Sequence, residues 1–521
     1  MWAAVLLCNI VTASAQTVLP SESLTELSKS NGCTAYSFNY PSVNAAGEPT
    51  VLSSALFVWT PLWKLKKDSI ESVHMFCHIT ITADIQRPTT TVTYSKEHPL
   101  LMAFPGRDYG SILSEKADYV SRCIVVAPDY EGYGVTRNVP HPYLSQRLTA
   151  RQVVDAATYG LALYQKEAQA NKKLPPMKSD WRSFAMGFSQ GGAVSLATHR
   201  YIEEEGLADS LHFQGSLCGD GPYDLLTTLR YYFDDDGSSY GVETPHRKGI
   251  ITMPVVVPLI VKGMYDSHPD VARYSLEDYL SQQLIDTGVL DWIDSKKYDT
   301  DYINQMWYDQ LQEGLDASDR HYTPEQMSEL FENPEEDKLW GKLEKMFTPE
   351  AYEYISKAIC LDSVPEGGGA LQAIHRAFAD NSLCTGWEPR HRIMFFHSKS
   401  DMVVPYGNYL SFRDAHPDGE GDLFRLDDTF STGDHVDAGI DFLVELLMTK
   451  RYAKYFNWIC EGPSTFIDKI QSPRENAGSD SSLSTLHSSL SGWYSLDGRR
   501  LPGKPTAPGV YIYKGRKTVV Q

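Results

Sequence analysis

Basic charge is what this chain is shortest of. Its 47 Lys and Arg stand against 67 Asp and Glu, a formal net charge of -20. No basic stripe is present to replace the counterions of a phosphate backbone, which excludes nucleic acid as a partner. Long apolar runs are also missing. The best internal candidate, residues 250–264, carries Pro254, Pro258 and Lys262 and is too short to cross a bilayer. No integral membrane segment is therefore expected, and that stretch is read as buried or as part of a cap over a site. Close cysteine pairs are lacking as well: Cys8, Cys33, Cys77, Cys123, Cys218, Cys360, Cys384 and Cys460 are scattered, so no cysteine-built metal site is expected, and no cofactor. The start of the chain has no Lys or Arg ahead of its apolar core, residues 3–7. The small-residue run Ala13-Ser14-Ala15 nevertheless predicts an export signal over residues 1–15, either atypical or with its start upstream. Leu7 before Cys8 is too large for a lipoprotein site.

What is present fills a large core. With 521 residues, 42% of them hydrophobic, the chain is long enough for one large domain with insertions. Losing Cys8 with the signal leaves an odd number of cysteines, so at least one stays unpaired in a monomer. Cys360 with Cys384 is the pair to test, and Cys123 reads as an inert core residue. Residues 34–61 alternate around a Gly47-Glu48-Pro49 turn, predicting an antiparallel hairpin at a sheet edge. Residues 75–85 and 89–94 are candidate strands. Short apolar strands are predicted at 100–104, 124–127, 213–218 and 392–396, with helical segments such as 150–168 between them. That alternation predicts an α/β fold with a mostly parallel central sheet covered on both faces. Residues 222–389, too long for a simple connection, are read as a helical cap insertion at the carboxyl ends of the strands. Residues 472–491 form a Ser-rich linker, and residues 492–521 a small β tail.

The stretch 181–200, WRSFAMGFSQGGAVSLATHR, organises the rest. An apolar run, Phe184-Ala185-Met186, enters Gly187-Phe188-Ser189-Gln190-Gly191 and leaves in a helix-periodic segment. Strand, sharp turn and helix make a nucleophile elbow, with glycine where backbones crowd and Ser189 at a helix start whose free N–H groups favour a developing oxyanion. A serine hydroxyl needs a base, and the base a buried acid. Asp401 is the expected acid, because it follows the apolar strand Ile393-Met394-Phe395-Phe396 and is closed by Val404-Pro405; Asp427, Asp428 and Asp434 lack so clear a strand. His435 is the expected base, in a polar, glycine-containing loop before the helix at 438–448. His199 would point away from Ser189 inside the elbow helix, His397 is better suited to holding the acid loop, and His416 sits in a turn. The oxyanion would be held by the N–H of Gln190 and by one from the loop 106–109, with Gly106 and Arg107 as candidates.

With those residues in place, the chain resembles the α/β-hydrolase superfamily and, within it, the secretory-lipase-like branch. The likeness rests on Pro128-Asp129-Tyr130-Glu131-Gly132-Tyr133-Gly134, His141-Pro142-Tyr143-Leu144, residues 152–161 and Gly187 to Gly192. It implies a hydrolase domain over 16–471 that cleaves carboxylic esters, small-molecule or polymer-linked, through an acyl enzyme. The chain departs where the branch often has His-Gly, carrying Phe104-Pro105-Gly106-Arg107-Asp108 instead. The tail, with Trp493-Tyr494-Ser495-Leu496-Asp497-Gly498 and Pro508-Gly509-Val510-Tyr511, resembles the sorting segments of secreted Bacteroidetes proteins read by the type IX route, implying contact with export machinery and a secreted or cell-surface location. A serine peptidase of the same fold and a non-catalytic surface binding module are the competing readings.

Overall fold

Apolar strands of a parallel sheet must be covered on both faces, and that requirement sets the architecture. The computed structural model describes residues 18–30, 33–59, 69–90, 123–233, 248–251, 253–304, 341–358, 364, 367–428, 433–448, 451–463, 493–495, 500–501, 509–513 and 516–520. Its strands are β1 (Thr25–Ser30), β2 (Cys33–Val43), β3 (Pro49–Trp59), β4 (Ile70–Cys77), β5 (Cys123–Pro128), β6 (Met177–Phe188), β7 (Phe213–Gly219), β8 (Ile250–Ile251), β9 (Gly341–Lys342), β10 (Arg392–Phe396) and β11 (Phe424–Leu426). Nine of them make one sheet in the order β1-β2-β3-β5-β4-β6-β7-β10-β11. The first three are antiparallel, β3 meets β5 antiparallel, and the remaining six all run parallel.

Twelve helices are described: α1 (Gln146–Ala170), α2 (Gln190–Glu204), α3 (Leu225–Phe233), α4 (Val256–Ser267), α5 (Gln282–Asp286), α6 (Val289–Ser295), α7 (Leu343–Met346), α8 (Pro349–Ala358), α9 (Ala370–Asp380), α10 (Gly407–Ala415), α11 (His435–Met448) and α12 (Arg451–Glu461). Period-2 alternation along β6 divides them between the faces. Phe184, Met186 and Phe188 point to one side, packing with Phe442 of α11 and Phe456 and Trp458 of α12. Ala185 points to the other, with Val153 and Val154 of α1 and Val194 of α2. The Phe184 and Phe456 rings meet edge-on at 4.4 Å, a geometry that contributes about 1 kcal/mol beyond burial. Helices α3 to α9 form an apolar cluster of their own, in which Leu229, Val257, Leu284, Phe347 and Phe378 are buried.

The predicted hairpin is present as β2 and β3, its turn taken by Gly47 at φ 78°. Strands at 124–127, 213–218 and 392–396 are present with nearly the predicted limits. Of residues 75–85 only the part up to Cys77 is strand, while Thr89 and Thr90 lie in a helical turn. The strand expected at 100–104, the export signal and the Ser-rich linker lie outside the described residues. Cys384 is a free, buried thiol, against the expected pair with Cys360; Cys77, Cys123, Cys218 and Cys460 are free too. The tail strands β12 (Trp493–Ser495), β13 (Arg500–Leu501), β14 (Gly509–Tyr513) and β15 (Arg516–Val520) form a separate antiparallel sheet in the order β13-β12-β14-β15. Among the described residues no helix is long and apolar enough to cross a membrane.

Candidate active site

Ser189 stands between β6 and α2 at φ 58° and ψ -125°, a strained conformation for a residue with a side chain. The strain is held by close backbone packing. A Cβ at Gly191 would lie 2.0 Å from the carbonyl oxygen of Cys77, and one at Gly187 2.4 Å from the same oxygen. Only glycine lets the elbow sit this tightly on the end of β4. The Ser189 N–H donates to Gly219 O at 2.9 Å, tying the turn to β7 on its other side.

Because β6, β7, β10 and β11 are parallel, the loops that follow them emerge at one edge of the sheet. Asp401, in the loop after β10, is fully buried. Its Oδ1 accepts the N–H groups of Val403 and Val404, both at 2.8 Å, while Oδ2 faces the Nδ1 of His435 at 2.5 Å. The Nε2 of His435 lies 2.8 Å from Ser189 Oγ. The Nδ1–H pointing at the carboxylate leaves Nε2 with a lone pair aimed at the hydroxyl, the arrangement a base requires. Burial alone would disfavour the imidazolium, but Asp401, with Asp220 and Asp434 behind it, outweighs burial and holds the His435 pKa above the ordinary histidine value. Asp434 caps α11 by accepting the N–H groups of Val436 and Asp437 at 2.9 Å each, which fixes His435 in the helix's first turn.

The three residues expected to carry chemistry are thus within hydrogen-bonding reach. The rivals have other duties. His199 Nε2 faces Glu203, His397 donates to Val404 O and so holds the acid loop, and His416 faces Glu388. Gln190 is the first residue of α2, where an N–H has no intrahelical acceptor. Gly106 and Arg107 lie outside the described residues. Beside the elbow the structure places a different segment, His78-Ile79-Thr80, which leaves the end of β4.

Side chains to which the sequence assigned no catalytic role complete the site. His141 Nδ1–H donates to Glu131 O at 2.7 Å, so its Nε2 accepts from the Gln190 amide at 3.1 Å. Burial, with Lys296 nearby, lowers the His141 pKa to about 3 and keeps the ring neutral. Thr80 and Tyr143 share a hydrogen bond of 2.8 Å beside Ser189. Asp220 accepts the N–H of Ser398, whose hydroxyl donates to Gly433 O, joining the acid loop to the histidine loop. Ser189 opens into a cleft of about 760 Å³, part of it open to solvent, walled by apolar side chains of α3 and α4 such as Leu229, Val257 and Val261.

By sequence the chain matches no established family profile and no curated protein. Solved structures do resemble it. The rice cell wall degrading esterase LipA from Xanthomonas oryzae superposes with a TM-score of 0.59 at 16% identity, covering 84% of this chain and 99% of that one. Candida antarctica lipase A gives a TM-score of 0.52 at 14% identity, covering 88% of this chain and 86% of the other. The fold is that of the α/β hydrolases. At these identities the likeness concerns the fold, and the chemistry has to be argued from the residues themselves.

Proposed function

We propose that the chain is an exported serine hydrolase that cleaves carboxylic esters with apolar acyl groups. The observation that carries this reading is the line from Asp401 through His435 to Ser189, at 2.5 and 2.8 Å, ending at the mouth of an apolar cleft. His435 Nε2 takes the Ser189 proton as Oγ attacks the ester carbonyl. Asp401 stabilises the imidazolium that forms. The tetrahedral oxyanion is held by the Gln190 N–H and by a second N–H. Gly106 or Arg107 is the candidate for that second donor, and the loop 78–80 is another, the Cys77 and His78 carbonyls abutting the elbow glycines. The imidazolium then protonates the leaving alcohol, and water deprotonated by the same ring releases the acid and restores Ser189.

The cleft favours an ester over a peptide. Its walls are mostly apolar and few of its hydroxyl groups are free, Thr228 being bound to Asp224 and Asn408 and Thr80 to Tyr143, so it offers a peptide backbone few partners. Helices α3 to α9 act as the cap over it, and the C-terminal sheet as the export tag. Assaying p-nitrophenyl esters tests the reading. Turnover that disappears in Ser189→Ala supports it, and turnover unchanged by that substitution refutes it.

A further inference from the structure

The cleft at Ser189 does not end the apolar space inside the cap. A second, narrow cavity, about 380 Å³ with part of it open to solvent, shares two walls with the first, Phe347 and Phe378. Helix α9 borders both: Phe378, His375, Ile374 and Leu371 are spaced i, i-3, i-4 and i-7, so they lie along one face. Phe378 stands where the two cavities meet, and Leu371 is seven residues further along, about 10 Å at the helical rise. Ala351 and Ile355 of α8 line the opposite wall. The second cavity is apolar apart from His375 and the hydroxyls of Tyr279 and Tyr354. His375 is buried, its Nδ1 lies 3.1 Å from the Tyr354 hydroxyl, and its Nε2 has no partner. An unpartnered polar atom in such a place is destabilising, unless something that enters the cavity satisfies it.

We propose that this second cavity receives the far end of a long acyl chain, and that His375 Nε2 hydrogen-bonds a hydroxyl group carried there, so that the preferred substrates are esters of long ω-hydroxy acids. The inference rests on the reading of Ser189 as the nucleophile only for the chain's direction, carbonyl at Ser189 and tail beyond Phe347 and Phe378. A hydroxyl suits the site because it brings no charge among apolar side chains. It also suits either histidine tautomer, since a hydroxyl both donates and accepts. Burial, with Arg230 and Arg376 near, lowers the His375 pKa and keeps the ring neutral.

Binding separates this proposal from the chemistry. In the full-length Ser189→Ala variant, which holds ester without turning it over, affinities for methyl palmitate and methyl ω-hydroxypalmitate are measured by calorimetry. The hydroxylated ester should bind about tenfold tighter, the ratio expected of one buried hydrogen bond. Adding His375→Phe should erase that preference while leaving methyl palmitate within about twofold. Adding Leu371→Trp, which fills the cavity, should weaken both long esters on the order of tenfold and spare methyl butyrate. Equal affinities of the two long esters in Ser189→Ala, as for a cavity that merely holds water, overturn the proposal, and so does a preference that survives His375→Phe in a folded variant. Wild-type turnover of the butyrate ester reports separately on Ser189, so its loss would count against the esterase reading and not against the cavity.

Discussion

His435 is the residue on which most of the account turns, because it must be neutral to act as a base and yet sits where charge is welcome. Its raised pKa means that activity is low below that value and rises as pH climbs through it. The same shift stabilises the fold where the ring is protonated, fully below the ordinary histidine value and no longer once pH passes the raised one. Asp401→Asn removes the carboxylate that supports the charge. It is expected to lower kcat on the order of 10⁴ with the fold retained, and to move the acid limb of the pH–rate profile downward; an unmoved limb would show that Asp401 does not set it. Gly191 offers a test of the elbow itself. Gly191→Ala puts a methyl group against the Cys77 carbonyl, and the expected loss of stability, on the order of 3 kcal/mol, is read from the denaturant midpoint. Ser189, Asp401 and His435 were legible in the sequence because each follows a recognisable strand or precedes a helix in the order the chemistry uses. The pairing of His141 with Gln190 was not, since 49 residues separate them and only the sheet order makes them neighbours.

At the scale of elements, the loops at the carboxyl edge of the sheet are tied together by a few polar bonds. Tyr232 of α3 donates its hydroxyl hydrogen to the carbonyls of Met402 and Val403, at 2.5 and 2.7 Å, linking a cap helix to the acid loop. Tyr232→Phe keeps the ring and removes that tie. Its expected signature is a lower kcat with the melting temperature little changed, and unaltered kinetics would show that the acid loop holds its place without the cap. At the opposite end of α2, Glu203 accepts hydrogen bonds from His199, His391 and the N–H of Arg390. Burial by itself would raise its pKa, but these partners outweigh burial and hold the carboxyl well below its usual range. The stability this contributes is complete above about pH 4.3 and is lost as pH falls from there toward the lowered pKa. Glu203→Gln should therefore flatten the acid side of the stability profile, and an acid side as steep as wild type would contradict that assignment. Strand order is where sequence reasoning stops. β4 lies directly beside β6, a pairing the sequence did not suggest, while the strand expected at 100–104 and the loop after it lie outside the described residues. Which strand pairs with which depends on long-range packing that no local pattern encodes.

For the molecule as a whole, the parallel sheet and the cluster of apolar cap helices were legible from alternating short strands and from an insertion too long for a loop. The thiols were less so: Cys360 with Cys384 was the pair to test, but Cys384 is free and buried in an apolar cluster, and Cys360 lies outside the described residues. The separate C-terminal sheet should be dispensable for chemistry and necessary for delivery. Ending the chain at residue 471 is expected to leave ester turnover of the purified protein within about twofold while abolishing its appearance outside the cell; normal delivery would remove the tail from the export reading. The central claim is that Ser189 is an activated nucleophile facing an apolar acyl site. Labelling the mature protein with a fluorophosphonate and mapping the adduct by mass spectrometry tests it most directly. The account predicts a single adduct on Ser189, lost in His435→Ala and blocked by a long-chain ester; no adduct at Ser189 in the folded wild-type protein would contradict it.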